Sequence, residues 1–181
     1  DYDLLNYLSY IMYTPLYTAG PIITYNAYME NVHHPQSSED PWQYSFRWII
    51  CFLIMEIMTN KFPCFAVMKS GLFPYLGPAE LALVCYLTVK MMWLKFLITW
   101  RFFRLWAIAD GTLPPENMTR CMSNNYSLGQ FWRSWHASFN KWIVRYMYKP
   151  LGGRDKQLYN VWPIFMFVAL WHDLEFKLFL W

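Results

Sequence analysis

The chain has 181 residues, enough for one domain, and its 15 Lys+Arg against 12 Asp+Glu leave a net charge of only +3, which excludes electrostatic capture of nucleic acid as its business. Hydrophobic residues make up 56% and charged residues 15%, well below the roughly 25% charged residues of soluble domains, which excludes an ordinary water-soluble globule. Eleven Trp and 14 Tyr are present, the two residues that gather where hydrocarbon meets the headgroup layer.

Four apolar stretches follow one another. The first, residues 4–25, is interrupted by Pro15, Gly20 and Pro21 and reads as a broken or re-entrant element. A polar loop from Glu30 to Gln43 carries His33 and His34, read as solvated. The second stretch, residues 48–68, has span length but contains Glu56, Lys61 and Pro63. The third, residues 81–103, is the cleanest candidate for a span of about 20 residues, with Lys90 and Lys95 inside it. The fourth, residues 161–181, holds His172, Asp173, Glu175 and Lys177. Ionisable residues in the second, third and fourth stretches predict an all-α, multi-span membrane helical bundle around a polar interior, because charge facing hydrocarbon is costly. The chain begins at Asp1 and ends inside an apolar run, so residues 1–181 read as part of one membrane domain, truncated at both ends.

The most polar region, residues 110–160, lies between the third and fourth stretches. Pro114-Pro115 opens a loop, and Leu151-Gly152-Gly153 closes the element that follows it. Within it, residues 131–148 (FWRSWHASFNKWIVRYMY) fit a single amphipathic helix lying in the interface. Phe131, Trp135, Phe139, Trp142 and Tyr146 form one stripe, His136 and Asn140 share a flank, and Lys141 and Arg145 share the other. Asn117-Met118-Thr119 and Asn125-Tyr126-Ser127 match glycosylation sequons, which matter only if this region faces the lumen. Basic residues near apolar spans predict that it faces the cytosol. Cys51, Cys64, Cys85 and Cys121 lack CxxC spacing; the first three sit in apolar stretches and read as small buried hydrophobes.

Two histidines carry the candidate chemistry. His136 sits on the amphipathic element, and His172 follows eleven uncharged residues. An imidazole in a dry setting suits a general base, and a hydrogen-bonded structural histidine is the alternative for either. No HExxH, GxSxG or Gly-rich phosphate loop occurs, and the two histidines lack metal-ligand spacing, so no metal site is expected.

The runs FWRSWHASFNKWIVRYMYKPLGG and FVALWHD, together with PLYTAGPIITY, WRFFRLWAIADG and PPENMTRCMSNNYS, resemble the membrane-bound O-acyltransferase family, in the glycerol-uptake-protein branch related to hedgehog acyltransferase. The resemblance implies an all-helical membrane bundle with a tunnel, in which His172 matches the catalytic base and His136 the second functional position. It implies acyl-CoA as co-substrate, a lyso-GPI lipid acceptor, membrane lipids as surroundings and residence in the endoplasmic reticulum membrane. Some relatives bind haem through a cysteine near the place of Cys121; no cofactor is otherwise required.

Chemically, the base removes the acceptor hydroxyl's proton as it attacks the thioester. Asn140 and His136 are placed to hydrogen-bond the thioester carbonyl or orient the acceptor. Arg133, Lys141, Arg145, Lys149 and Arg154 offer charge to CoA phosphates, and Trp132, Trp135 and Trp171 offer contact to the acyl substrate. The alternatives are a protein N-acyltransferase of the hedgehog type and a non-catalytic transporter or regulatory protein on the same fold.

Overall fold

The computed structural model describes residues 3–35 and 39–172, and these are all-helical, without a strand. In chain order the helices are α1 (Leu4–Ile11), α2 (Thr14–Thr18), α3 (Tyr25–His33), α4 (Pro41–Lys61), α5 (Cys64–Lys69), α6 (Pro78–Ala109), α7 (Leu128–Ser134), α8 (Ala137–Ile143) and α9 (Gln157–His172). Local chemistry sets many of the starts. Asp3 and Asp40 cap α1 and α4 by accepting the N–H groups of Asn6 and Trp42, at 2.7 and 2.9 Å. Proline occupies the first helical position of both α4 and α6, where its missing N–H costs nothing.

The first apolar stretch is broken as its prolines predict. α1 and α2 are followed by non-helical residues up to the start of α3, and a Cβ at Gly20 would stand 2.5 Å from the Pro15 carbonyl oxygen. This approach is open only to glycine. The Tyr10 hydroxyl donates to the Ile23 carbonyl at 2.8 Å, and Tyr13 donates to Asp110 Oδ2 at 2.8 Å, tying the segment to the end of α6.

α6 is the spine. Its 32 residues make it about 48 Å long, and among the described residues it is the one helix long and apolar enough to cross a membrane. Of the expected spans, the third is the one that meets this test among the described residues, and the fourth runs past them. α4 has 21 residues but carries Arg47, Glu56 and Lys61, and the second stretch splits at Pro63 into α4 and α5 instead of continuing to residue 68. Proline lacks the N–H an unbroken helix needs there. α9 begins before the expected fourth stretch, at Gln157, and is described to His172; Asp173, Glu175 and Lys177 lie outside the described residues.

α4 packs along α6. The Trp48 indole donates to the Ile98 carbonyl at 2.9 Å while its ring sits 5.6 Å from those of Phe52 and Phe102. At the polar end of the pair, the buried Arg104 guanidinium grips Glu39 with two hydrogen bonds of 2.8 and 2.9 Å and donates to the Pro114 carbonyl at 2.8 Å. Arg101 and the Tyr44 hydroxyl donate to Glu116 at 2.6 and 2.8 Å. The Arg104 bonds hold the Glu39 carboxyl below the usual carboxylate range, against a partial desolvation that raises it.

The accessible surface is 12709 Å², whereas a self-contained globule of this 22.0 kDa mass exposes about 9,300 Å². Much of the excess is apolar, including Leu5, Trp42, Leu83, Tyr86 and Trp162, and surface of that kind meets hydrocarbon or other protein. Of the three cysteines expected to be buried, Cys64 is, Cys51 is half-buried, and Cys85 is exposed on the flank of α6. His33 and His34 are exposed at the end of α3, as expected.

A histidine pair at a broken helix

Residues 131–148 do not form one helix. α7 ends at Ser134, the chain turns at Trp135 and His136, and α8 begins at Ala137. His136 has φ 46° and ψ 51°, the left-handed region, and is the one non-glycine residue described with positive φ. Beyond α8 the helix widens into a π turn, Val144–Tyr148, marked by a bond of 3.0 Å from Lys149 N–H to the Val144 carbonyl. The predicted aromatic stripe and the shared flanks are thus cut in two places. The reason lies outside the segment: loop 117–119 binds both sides of the break and takes N–H groups that an unbroken helix would use internally.

Those bonds are specific. Thr119 N–H donates to the Ser134 carbonyl at 3.3 Å, Ala137 N–H to the Asn117 carbonyl at 3.0 Å, and Ser138 N–H to Asn117 Oδ1 at 3.1 Å. The Ser138 hydroxyl in turn accepts Ile22 N–H at 2.9 Å, so the extended segment after α2 also fastens to the start of α8. Ser134 Oγ lies within hydrogen-bonding distance of the Gln130 carbonyl and of Asn125 Oδ1, the latter at 2.9 Å, and its one proton serves one of them at a time. The Asn140 amide donates to the Trp132 carbonyl at 2.7 Å, bridging the break from within.

The turn pushes the His136 ring among aromatics from three elements. It stacks on Trp100 of α6 at 4.5 Å and 23°, on Phe139 of α8 at 5.1 Å and 23°, and meets Trp171 of α9 at 5.7 Å. Trp171 itself stacks on Phe139 at 4.4 Å, and its ring lies 4.9 Å from that of His172. The fold therefore brings His136 to the indole that neighbours His172 in the chain. Burial pushes the His136 pKa down to about 4, with the neighbouring His172 adding to the effect. His136 is then neutral at physiological pH, able to offer one N–H and one lone pair. His172, expected to be the dry histidine, is exposed at the last described residue of α9, while the dry environment belongs to His136.

The other predicted residues are placed unevenly. Trp135 is half-buried against Phe131, Phe96 and Trp100, within the same aromatic cluster. Trp132 is exposed and packs edge-on to Phe131. Arg133 is exposed and its Nε donates to the Gly129 carbonyl at 2.9 Å. Lys141 and Arg145 are exposed, with Arg145 leaning on Tyr146 at 5.7 Å. Trp100, Phe139, Ser138 and Asn117 were missed as site residues. Trp100 stands within an apolar helix, and Asn117 was read only as a sequon.

Cys121 Sγ accepts from Lys90 Nζ at 2.9 Å. Partial burial raises the thiol, but the Lys90 ammonium and the N–H groups of Ser123 and Met122 outweigh it and bring the pKa below its ordinary value. An anionic sulfur is what haem iron takes as a ligand. In this structure the Lys90 ammonium stands against that sulfur.

Comparison with known proteins bears on this geometry. The membrane-bound O-acyltransferase family matches across residues 1–181. The chain is 46% identical over 184 residues to the membrane-bound O-acyltransferase gup1 of Schizosaccharomyces pombe, covering 100% of this chain and 32% of that protein. It is 45% identical to the membrane-bound O-acyltransferase GUP1 of Saccharomyces cerevisiae, covering 33% of that protein. More distantly, it is 25% identical to the mouse protein-cysteine N-palmitoyltransferase HHAT over 96% of this chain and 37% of that protein. The chain spans about a third of the length of these relatives. From the helical architecture, the paired histidines and this end-to-end similarity, the chain belongs to the membrane-bound O-acyltransferase family.

Proposed function

We propose that the protein moves a long-chain acyl group from acyl-CoA to a lipid hydroxyl, with a lyso-GPI glycolipid of the endoplasmic reticulum membrane as the acceptor. The observation that carries the reading is the approach of His136 to Trp171 and its neighbour His172, from elements far apart in the chain. His172 takes the acceptor's proton as the hydroxyl oxygen attacks the thioester carbon; the C–S bond then breaks, and the CoA sulfur receives that proton from His172 and leaves as the thiol. His136, held neutral by its aromatic surroundings, donates its N–H to the carbonyl oxygen as negative charge develops there. A neutral donor suits this step because it polarises the carbonyl without giving up its own proton. Asn140 spends an amide hydrogen on the Trp132 carbonyl and so supports the turn. Arg133, Lys141 and Arg145, all exposed on the same broken element, are available to CoA phosphates, and Trp132, Trp135 and Trp171 offer the acyl chain apolar contact. A second reading, acyl transfer to a protein amine, rests on the 25% identity to the mouse N-palmitoyltransferase.

The test uses the full-length protein in detergent, palmitoyl-CoA as donor and a purified lyso-GPI glycolipid as acceptor. His172→Ala is expected to lower turnover by about 10²–10⁴ while melting stays near that of wild type. His136→Ala is expected to give a smaller loss. Near-wild-type turnover by His172→Ala would falsify the catalytic assignment, and transfer to a peptide amine but not to the glycolipid would favour the second reading.

A further inference from the structure

Asn117 is 1% exposed, and it serves the α7–α8 break with both of its oxygens. Its main-chain carbonyl accepts Ala137 N–H and its Oδ1 accepts Ser138 N–H, at 3.0 and 3.1 Å. These donors belong to the first two residues after His136. His136 occupies the N-cap position of α8 with no side-chain cap bond of its own, so Asn117 caps this helix from across the fold. The left-handed conformation of His136 is costly for an L-residue and persists only where its neighbours impose it. Two residues further on, Thr119 N–H fastens to Ser134 on the other side of the turn. The Asn117 Nδ2, by contrast, is buried with no partner among the described residues. A buried amide left unmatched is costly, so this carboxamide is retained for its acceptor oxygen.

We propose that Asn117 is a positioning residue for acyl transfer: its carboxamide and main-chain carbonyl hold the left-handed turn that sets the His136 imidazole between Trp100 and Trp171, and the Asn117-Met118-Thr119 triplet serves that turn and not a glycan. The proposal rests on the role given to His136 above. Its chain of contacts starts further back. Arg104 holds the Pro114 carbonyl, and Arg101 and Tyr44 hold Glu116, so the ion network at the end of α6 fixes the loop that presents Asn117. A sequon asparagine that accepts a glycan must present Nδ2 to the transferase; here that atom is enclosed.

The experiment compares full-length wild type, Asn117→Ala, Asn117→Asp, Thr119→Val and His136→Ala, with palmitoyl-CoA and lyso-GPI glycolipid. Asn117→Ala is expected to lower kcat about 10- to 100-fold with the KM for palmitoyl-CoA within about twofold, as for a misplaced group rather than a lost binding contact. Asn117→Asp keeps the acceptor oxygen and is expected to restore kcat to within about threefold of wild type. Thr119→Val destroys the sequon, leaves the Asn117 bonds in place, and should turn over normally. If Asn117→Ala does not accumulate in membranes, Asn117→Ser, whose hydroxyl falls short of Ser138 N–H, is read by the same criteria. Unchanged kcat in a folded Asn117→Ala, or equal losses in Asn117→Ala and Thr119→Val, overturns the proposal. When His136→Ala is impaired and Asn117→Ala is not, the positioning role alone fails. When His136→Ala turns over normally, the catalytic reading of His136 fails first.

Discussion

At the scale of single residues, the two histidines exchange the environments that the apolar runs predict. His172 follows eleven uncharged residues yet ends its helix exposed, whereas His136, in the most polar region of the chain, is wedged among rings. This has a consequence for stability. The unfolded chain protonates His136 below its ordinary pKa of 6.5, while the folded protein resists until about 4. The unfolded state therefore binds the extra proton in that window, and stability present above pH 6.5 is lost as pH falls towards 4. Replacing His136 with Phe keeps a ring in the stack and removes the titration. The difference in unfolding free energy between His136→Phe and wild type should grow by on the order of 3 kcal/mol from pH 7 to pH 4, read as diverging melting temperatures. Parallel pH profiles for the two proteins would show that His136 is solvated.

At the scale of elements, the break between α7 and α8 and the π turn after α8 decide which side chains act together. An unbroken α-helix would stack Arg145 over Lys141. The wider turn rotates Arg145 relative to Lys141, and both side chains stand exposed. Separately placed cations contribute independently to an anionic ligand. Lys141→Gln and Arg145→Gln should each raise the KM for acyl-CoA about 2- to 5-fold, and the double variant should show the product of the two, with kcat changed less than about twofold. The measurement is the initial rate against palmitoyl-CoA concentration at fixed acceptor. A donor KM that stays constant in the double variant removes the phosphate role.

At the scale of the molecule, α6 organises everything described. Its apolar length passes α4 on one side, its polar end holds Glu39 and Glu116, and Trp100 near that end roofs His136. Residues 110–160 are expected on the cytosolic side because of their charge. Lys141, Arg145, Lys149 and Arg154 cluster next to apolar helices, an arrangement of cytosolic segments. Asn117 and Asn125 should carry no glycan in the native protein. Mass spectrometry of the peptides containing them, before and after endoglycosidase, checks this, and a glycan on exposed Tyr126's neighbour Asn125 would place the segment in the lumen.

What the sequence determined by itself was composition-driven and local. Helical content without strands, the new helix start at Pro15, the breaks at Gly20-Pro21 and Pro63, the turn at Gly152-Gly153 with φ of 104° and 55°, and the long apolar α6 all follow from hydrophobic runs and backbone rules acting over a few residues. The family was legible for the same reason, since its blocks are contiguous runs. The break at His136 was not legible. Periodicity across residues 131–148 favours one helix, and the groups that interrupt it, the Asn117 oxygens and the Thr119 N–H, arrive from a loop that only tertiary packing lays across the segment. Nor did spacing reveal that Trp100, His136, Phe139 and Trp171 form one stack. Those rings come from three helices, and desolvation of an imidazole is a property of everything packed around it, which no single stretch of sequence contains.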